Sequence, residues 1–416
     1  MKVSRRTLLA GAATLAAAPS TVVKAAVSGP GRVRTLNGRS LEWNWVGGVK
    51  EFHLIAEEME HEFAPGCRAR CWGYNGSTPG PTIEAVEGER VRILVTNRLP
   101  EPTTVHWHGL LLPNGMDGVG GLNQPHIQPG ETWAYEFTLR QHGTCLYHPH
   151  ADEMTQLAFG MMGFFIIHPR ESQEPPVQRD YALLLHNWAL HPGTYRPDPA
   201  VMTEFDLWTF NSKVFPATEP LLAAQGERVR LRVGNLSMHN HPIHLHGHRF
   251  VVTGSDGGRW PRTLWRPEIT EIIGVGQVRE LEFIADNPGD WALHCHMSHH
   301  TMNAMGHSLA NPVGVKQGAL EERMRQHLPG VMHMGEDGMF EHNTHLGMGH
   351  VKGPENTLPM AMGQGPFGQI EMLGQHFLSH IARHFDQISI HFQIGVAQER
   401  HAALPATDEL TGATQL

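Results

Sequence analysis

The chain has 416 residues, of which 18% are charged, and its formal net charge is −9. This length leaves room for two or three domains, each able to bury a core of its own. The acidic balance argues against a nucleic-acid-binding protein, which needs a basic face. The chain also holds 31 histidines and 19 methionines, far more than packing requires.

Residues 1–26 are predicted to be an export signal that is removed from the mature protein. Arg5 and Arg6 form a twin-arginine pattern, an apolar stretch rich in alanine and leucine follows, and residues 23–25 form a suitable cleavage site. No later segment is apolar enough to span a bilayer. We therefore expect an exported protein without a membrane span, periplasmic if the cell has two membranes.

Short runs of β-forming residues between glycine, proline and asparagine predict strands at 90–96, 132–140, 228–233 and 278–285. Long amphipathic helices are absent from residues 40–310. Short strands with frequent turns are typical of β-sandwiches and barrels.

Two segments of the chain repeat one another. An interval of 18 residues separates a glycine from a histidine four times, from Gly88 to His106, from Gly130 to His148, from Gly226 to His244 and from Gly276 to His294. A repeat in this register predicts two similar domains. The polar, proline-rich stretch at 169–178 is the predicted linker, which gives a first domain at 27–170 and a second at 171–316.

Four His-x-His pairs provide the strongest metal-binding pattern. Two lie in each predicted domain, and the pairs are His106 and His108, His148 and His150, His244 and His246, and His294 and His296. Residues two apart on a strand point to the same face, so each pair can bind one or two metals. Neutral imidazole is a good copper ligand, and eight imidazoles suit a cluster of about three coppers.

The second predicted domain adds a thiolate. Cys295, His300 and Met305 provide three of the four ligands of a blue-copper site, and His241 completes the set. The corresponding positions of the first domain hold other residues, namely Thr103, Pro149, Met154 and Phe159. A mononuclear copper is therefore expected only in the second domain. Both sequence neighbours of the cysteine are histidines of one cluster pair, which predicts a path for electrons from this copper to the cluster.

The other three cysteines are Cys67, Cys71 and Cys145. An exported protein can form disulfides, but the odd number and the spacing of these cysteines leave their pairing open.

Residues 317–416 form a predicted Met/His-rich C-terminal tail. The stretch from Met332 to Met372 is rich in glycine, histidine and methionine and has little periodic hydrophobicity, which predicts a loop-like or disordered segment. Thioether and imidazole ligands suit Cu(I), so the tail either binds this ion or has no metal role. The stretch at 378–394 fits a helix and a strand equally well.

These motifs resemble those of the multicopper oxidases, the laccase-like family of cupredoxin-fold enzymes. The resemblance covers about residues 70–310, and the presence of only two domains is similar to the two-domain small laccases. It implies an all-β fold of two cupredoxin-like Greek-key β-sandwich domains with a Met/His-rich C-terminal extension. It also implies about four coppers per subunit.

The resemblance implies a role for each ligand. Type 1 copper would be bound by His241, Cys295, His300 and Met305, and type 2 copper by His106 and His244. The binuclear type 3 pair would be bound by the remaining six, His108, His148, His150, His246, His294 and His296. In the two-domain relatives the trinuclear cluster forms between the first domain of one subunit and the second domain of the next, so the resemblance implies a homotrimer.

Two carboxylates are candidates for proton delivery to dioxygen. Asp117 follows the first histidine pair, where the family usually places such a residue, although a turn aspartate beside Gly118 would look the same. Glu271 precedes a predicted strand at a position where relatives carry an acid near the cluster.

The resemblance implies an exported oxidase that couples one-electron oxidation of a reductant to the four-electron reduction of dioxygen to water. The reductant is either a phenolic or aromatic compound or Cu(I), and the second would give a role in copper tolerance. Two alternatives are a copper nitrite reductase-like enzyme and a periplasmic copper-sequestering protein. Thr103 and Pro149 argue against the first, and the complete type 1 set argues against the second.

Overall fold

The computed structural model describes residues 32–64, 67–172, 174–190, 196–203, 205, 207–214, 217–287, 291–297 and 300, together with the backbone of 395–397. The predicted export signal at 1–26, the predicted ligand Met305 and nearly all of the tail at 317–416 lie outside these residues. What the sequence predicts for them stays a prediction.

The described part of the chain is almost entirely β-structure, with 22 strands and one short α-helix. The strands are β1 (Arg34–Thr35), β2 (Trp43–Val46), β3 (Val49–Ala64), β4 (Cys67–Tyr74), β5 (Ile83–Val86), β6 (Arg90–Asn97), β7 (Val105–His106), β8 (Thr132–Thr138), β9 (Gly143–Pro149), β10 (Gly163–His168), β11 (Arg179–Trp188), β12 (Leu207–Phe210), β13 (Leu222–Ala224), β14 (Arg228–Asn235), β15 (His241–Leu245), β16 (Phe250–Ser255), β17 (Gly258–Arg259), β18 (Arg266–Glu268), β19 (Thr270–Ile273), β20 (Val278–Ile284), β21 (Leu293–Cys295) and β22 (Gly395–Ala397). The helix α1 covers Glu153–Ala158, and single 3₁₀ turns cover Asn114–Met116 and Arg262–Leu264. The four strands predicted from the sequence are confirmed as β6, β8, β14 and β20.

Two sheets between residues 43 and 168 pack as a first sandwich. One sheet has the order β2-β3-β6-β8, with β4 paired to β3, and the other has the order β5-β10-β9-β7. Along β6 every second residue is buried, because alternate side chains of a strand face the partner sheet. The buried set between the sheets includes Phe52, Ile93, Tyr135 and Phe165.

Residues 179–295 supply most of a second sandwich. Its larger sheet has the order β1-β11-β14-β20-β16-β17, with β12 paired to β11 and β18 paired to β16, and its smaller sheet has the order β19-β15-β21. The core between them includes Leu231, Ile243, Leu281 and Cys295. A separate pair joins β13 to β22 in parallel.

A third hydrophobic cluster joins the two sandwiches. It contains Phe63, Leu146 and Phe164 of the first sandwich and Leu184 and Trp188 of the second. The described residues from 32 onward accordingly belong to one compact unit. The predicted domain boundary between residues 170 and 171 falls in the segment between β10 and β11 and stays a prediction.

A buried ion-pair network crosses the same junction. The guanidinium of Arg232 on β14 binds Asp180 at 2.7 and 2.8 Å and Glu280 at 2.9 Å, and it donates to the hydroxyl of Thr144 on β9 at 2.7 Å. Thr144 in turn donates to Glu280 at 2.8 Å. A buried charge of this kind is tolerated only when it is fully paired, so these contacts fix the relative register of the two sandwiches.

All four cysteines are described and buried, and none of them forms a disulfide. Burial raises the pKa of Cys71 and raises the pKa of Cys145 to about 12. A search of the described residues for a helix long and apolar enough to cross a membrane finds none.

Candidate metal centre

The first sandwich brings together the histidines of its two pairs, His106, His108, His148 and His150, which we call the first half-site. His106 ends β7 and lies directly opposite His148 on β9 in antiparallel register. The ring centroid of His106 lies 5.8, 5.4 and 5.5 Å from those of His108, His148 and His150. Ligand nitrogens of His106, His108 and His148 lie within 4.8 Å of one another. This spacing suits metal ions held between the rings.

Hydrogen bonds to backbone carbonyls orient these rings. Nδ1 of His106 donates to the carbonyl of Asp117 at 2.8 Å, and Nδ1 of His148 donates to the carbonyl of Pro149 at 3.0 Å. Because a neutral imidazole has a single N–H, Nε2 of each ring is left as a lone-pair donor for a metal. Nδ1 of His108 lies 3.3 Å from Nε2 of His148. His108 therefore presents Nδ1, whereas His106 and His148 present Nε2.

Burial favours the neutral form of two rings of the first half-site, those of His148 and His108. It lowers the pKa of His148 to about 3, and it also lowers the pKa of His108, with the neighbouring imidazoles acting in the same direction. Neutral imidazole is the form that binds a metal, so both rings are competent ligands at neutral pH.

The second sandwich repeats this arrangement in the second half-site, which consists of His244, His246, His294 and His296. His244 on β15 lies opposite His294 on β21. Nδ1 of His244 donates to the carbonyl of Ile269 at 2.7 Å, and Nδ1 of His294 donates to the carbonyl of Cys295 at 2.8 Å. Nε2 of His246 lies 2.8 Å from Nε2 of His294. Burial lowers the pKa of His294 to about 4, so this ring too is neutral and can bind a metal.

Within one chain the two half-sites are separate groups. The ring contacts among these eight histidines all join members of the same half-site. Across the described residues, no ligand group combines histidines of both. Among the described residues, each half-site of a single chain therefore offers four imidazoles.

A third ligand group lies inside the second sandwich. His241 on β15, Cys295 on β21 and His300 are fully buried, and their ligand atoms lie within 4.8 Å of one another. Nδ1 of His300 lies 3.5 Å from Sγ of Cys295 and 3.2 Å from Nδ1 of His241. On the far side of the His241 ring, Nε2 lies 2.8 Å from the hydroxyl oxygen of Ser237. We call His241, Cys295 and His300 the thiolate group.

The donor atoms of the thiolate group fit copper. Two imidazole nitrogens and one sulfur facing each other are the ligands of a blue-copper site. Burial raises the pKa of Cys295 to about 12, and binding of a metal would displace the thiol proton. The predicted axial ligand, Met305, lies outside the described residues.

The equivalent position of the first sandwich is filled differently. Thr103 corresponds to His241, and its hydroxyl donates to Oε1 of the buried Gln156 at 2.6 Å. Nε2 of Gln156 donates to the carbonyl of Pro102 at 2.8 Å. These contacts agree with the prediction that the thiolate site exists only in the second domain.

The two predicted catalytic carboxylates have different surroundings. The carbonyl of Asp117 holds the ring of His106, and its carboxylate Oδ1 lies 3.6 Å from Nδ1 of that ring. Glu271 is buried and binds Arg266 at 2.6 and 2.7 Å and Arg279 at 3.1 Å. Asp117 therefore lies at the first half-site, whereas the described ion pairs of Glu271 are with arginines. The catalytic roles of Asp117 and Glu271 both stay predictions.

Sequence reasoning missed two residues beside these groups. Glu153 opens α1, where Oε1 lies 3.5 Å from Nδ1 of His148 and Oε2 lies 3.7 Å from Nε2 of His150. Its position three residues after His150, in the first turn of a helix, was the available signal. Nδ1 of His239 lies 3.1 Å from Nε2 of His300, and its only signal was its place two residues before His241.

Comparisons with known proteins add an independent line of evidence. Two sequence profiles of multicopper oxidases match residues 56–172 and 192–315. The chain is 40% identical to copper resistance protein A of Escherichia coli over 114 residues, which cover 27% of this chain and 18% of that protein. It is 30% identical to Laccase-20 of Oryza sativa subsp. japonica over 273 residues, which cover 60% of this chain and 45% of that protein. The chain thus spans less than half the length of these curated relatives.

A solved structure covers both sandwiches. The blue copper oxidase from Nitrosomonas europaea is 32% identical and superposes with a TM-score of 0.57, which covers 61% of this chain and 81% of that one. This match confirms the predicted all-β fold with two cupredoxin-like Greek-key β-sandwich domains. The profiles match each sandwich with its half-site, and the chain therefore belongs to the multicopper oxidase family as a laccase-like member.

Proposed function

We propose that this chain is an exported oxidase that couples one-electron oxidation of a reductant to the four-electron reduction of dioxygen to water. Four such oxidations supply the electrons for one dioxygen, and four protons complete two water molecules. The observation that carries the proposal is the position of Cys295 between His294 and His296. One short strand thereby joins the thiolate group to the second half-site through covalent bonds.

The ligand assignments follow the two kinds of group. His241, Cys295 and His300, with Met305, would hold type 1 copper, and His106 and His244 would hold type 2 copper. The type 3 pair would be held by the other six histidines, His108, His148, His150, His246, His294 and His296, which gives about four coppers per subunit. When bound, copper supplies one-electron redox chemistry and the site at which dioxygen binds. The carbonyl hydrogen bonds to Nδ1 of His106 and His244 hold those rings with Nε2 turned toward the metal.

The separation of the half-sites supports a homotrimer with shared clusters. Exposed apolar side chains accompany both half-sites: Met154 lies on α1 beside Glu153, and Ile269, whose carbonyl binds His244, is followed by Ile272 on β19. Burial of exposed apolar side chains is the main favourable term in protein association. A cyclic assembly that packs the first sandwich of one subunit on the second sandwich of the next would bury them and complete each cluster.

Two carboxylates would deliver protons. Asp117 lies against His106, and Glu153 lies against His148 and His150. Both are partly exposed and can exchange protons with solvent while facing the first half-site. General acid catalysis requires a carboxyl group within hydrogen-bond reach of the reacting atoms, directly or through one water.

Two reductant classes fit the family. The relative named for copper resistance and the Met/His-rich tail support Cu(I), and the relative named as a laccase supports phenolic or aromatic compounds. A cuprous oxidase exported by the twin-arginine pathway to the periplasm would contribute to copper tolerance. A chain truncated after residue 316 separates the two classes. Loss of Cu(I) oxidation with retention of phenol oxidation would show that the tail serves Cu(I) oxidation. Retention of both activities would show that the tail is needed for neither.

Copper stoichiometry, optical and EPR spectra, and the mass in solution test the proposal together. We expect about four coppers per chain, a blue thiolate absorption band, a coupled type 3 pair and a trimeric mass. A fully active monomer would overturn the shared cluster. One or two coppers per chain without a coupled pair would overturn the oxidase, and in that case turnover of nitrite would indicate a nitrite reductase-like enzyme and its absence a copper-sequestering protein.

A further inference from the structure

The outward side of His300 is covered by another histidine. Nδ1 of His300 faces Sγ of Cys295, so a metal bound there leaves the ring hydrogen of neutral His300 on Nε2. That Nε2 lies 3.1 Å from Nδ1 of His239, a normal hydrogen-bond distance. His300 is fully buried, whereas His239 keeps part of its surface exposed. His300, which faces the sulfur of Cys295, is therefore shielded from solvent, whereas its hydrogen-bonded neighbour His239 is partly exposed.

The rings of this pair are nearly parallel. The planes of His239 and His300 differ by 2°, and their centroids are 5.1 Å apart. The indole of Trp208 lies along both rings, 5.1 Å from His300 and 6.4 Å from His239, tilted 21° from each. Nε1 of Trp208 also donates to Nδ1 of His239 at 3.5 Å. Two donors thus converge on Nδ1 of His239, and this nitrogen acts as an acceptor.

The backbone also fixes His239. Its carbonyl accepts a hydrogen bond from the amide of Asn235 at 2.8 Å and lies 2.9 Å from the hydroxyl oxygen of Ser237. The same hydroxyl oxygen lies 2.8 Å from Nε2 of His241. His239 is therefore linked by hydrogen bonds to both histidines of the thiolate group. Its ring contacts His300 directly, and its carbonyl is connected to His241 through the hydroxyl of Ser237.

We propose that His239 is the electron-accepting contact of the enzyme: a one-electron organic reductant docks against its exposed edge, and the electron passes through its hydrogen bond to His300. The reductant is oxidised by one electron, and the oxidised type 1 copper is reduced by one electron. The proposal rests on the function above and adds a residue outside the predicted ligand set. Electron-tunnelling rates fall steeply with distance, and His300 is fully buried, so contact with the partly exposed His239 ring gives a reductant a hydrogen-bonded route to this ligand.

Two substitutions separate electron transfer from packing. His239→Phe keeps a ring beneath Trp208 but has no acceptor for Nε2–H of His300. His239→Ala leaves a space through which a small reductant can reach His300 directly. His53→Phe is the matched control, because His53 is an exposed histidine of the first sandwich whose ring contacts Thr96.

The readout is anaerobic bleaching of the blue band by hydroquinone in stopped flow, which requires neither dioxygen nor the cluster. We expect the rate constant to fall at least about tenfold in His239→Phe, to stay within about threefold of wild type in His239→Ala, and to be unchanged in His53→Phe. Pulsed EPR of the oxidised proteins should show a changed coupling to the remote nitrogen of His300 in both His239 variants, with copper content and blue absorbance retained.

The outcomes distinguish this inference from the proposed function. A wild-type protein without a blue band would refute the proposed function itself. A wild-type protein with a blue band, together with a His239→Phe variant that bleaches at the wild-type rate, would refute the role of His239 alone. Equal slowing in His239→Phe and His239→Ala would also refute this role. It would indicate a packing defect common to both variants, because the space left in His239→Ala should let hydroquinone reach His300 directly.

Discussion

The two sandwiches carry their metal ligands on the same backbone scaffold. Asn97 ends β6 and Asn235 ends β14, and each side-chain amide donates to two backbone carbonyls. For Asn97 the acceptors are Glu101 and Ile127, and for Asn235 they are His239 and Ile273. These contacts place the segment before β7 and the segment before β15 in equivalent positions, so the first histidine pair of each sandwich begins from the same frame.

The residues at equivalent positions of these two segments differ. Where the second sandwich has Ser237, His239 and His241, the first has Leu99, Glu101 and Thr103. The side chain of Thr103 is bonded to Gln156 rather than facing a thiolate. The comparison teaches that both domains keep a histidine half-site, while only the second has a cysteine directly between the two histidines of a pair.

The largest effect is expected from removal of that sulfur. Cys295→Ser should abolish the blue band and lower oxidation of the reductant by at least about a hundredfold, roughly 3 kcal/mol in transition-state free energy, because electrons lose their route to the cluster. Steady-state rates and optical spectra measure both effects. Cys145→Ser, which alters a buried thiol of the first sandwich, is the control and should keep the band. A blue band in Cys295→Ser would contradict the assignment.

Mixing two inactive variants tests whether the half-sites combine between chains. His148→Ala disables the first half-site and His294→Ala disables the second, so each variant alone should lose dioxygen reduction. Random hybrid trimers of the two would pair an intact first half-site with an intact second one at about a quarter of their interfaces. Co-expression should therefore restore about a quarter of the wild-type oxygen consumption. No recovery in verified hybrids would mean that each cluster forms within one chain.

The carboxylates of the two sandwiches should respond differently to loss of charge. Asp117→Asn keeps the backbone carbonyl that holds His106, so copper content should stay full while oxygen reduction slows by about tenfold or more. Glu271→Gln removes the partner of Arg266 and Arg279 and should lower the free energy of unfolding by about 2 kcal/mol. Oxygen uptake by the prereduced enzyme and thermal unfolding measure the two effects. Wild-type oxygen uptake in Asp117→Asn would refute a proton-relay role.

The repeat made much of this arrangement predictable from the sequence. Equal spacing from Gly88 to His106 and from Gly226 to His244 predicts equivalent strands, and β6 and β14 lie at these positions, with burial that alternates along β6 and over the first four residues of β14. The ligand pairs were predictable because a His-x-His pattern on a strand points to one face.

Other contacts could not be read from the sequence because they depend on segments that meet only in the fold. His239 and His300 are 61 positions apart in the sequence. Trp208, which packs on both rings, lies on β12, a strand that no periodic pattern in the sequence predicted. Glu271 was predicted to be a catalytic carboxylate near the cluster because of its position in the sequence. Its pairing with Arg266 and Arg279 depends on how β18, β19 and β20 pack. Long-range pairing of single polar residues leaves no periodic signal.

The last effect is a pH dependence of stability, and it concerns one buried histidine on each side of the junction between the sandwiches. His61 donates to the carbonyl of Ser212, His186 donates to the carbonyl of Leu236, and burial lowers the pKa of each from 6.5 to about 4. Both are neutral in the folded and unfolded chain above pH 6.5. Between pH 6.5 and 4 the unfolded chain gains the proton and the folded chain does not, so stability falls as pH falls, by up to about 3 kcal/mol for each residue. Urea unfolding at pH 7 and pH 5 should therefore show a smaller difference in His61→Gln and in His186→Gln than in wild type. Equal differences in all three would show that neither histidine is neutral in the folded protein at pH 5.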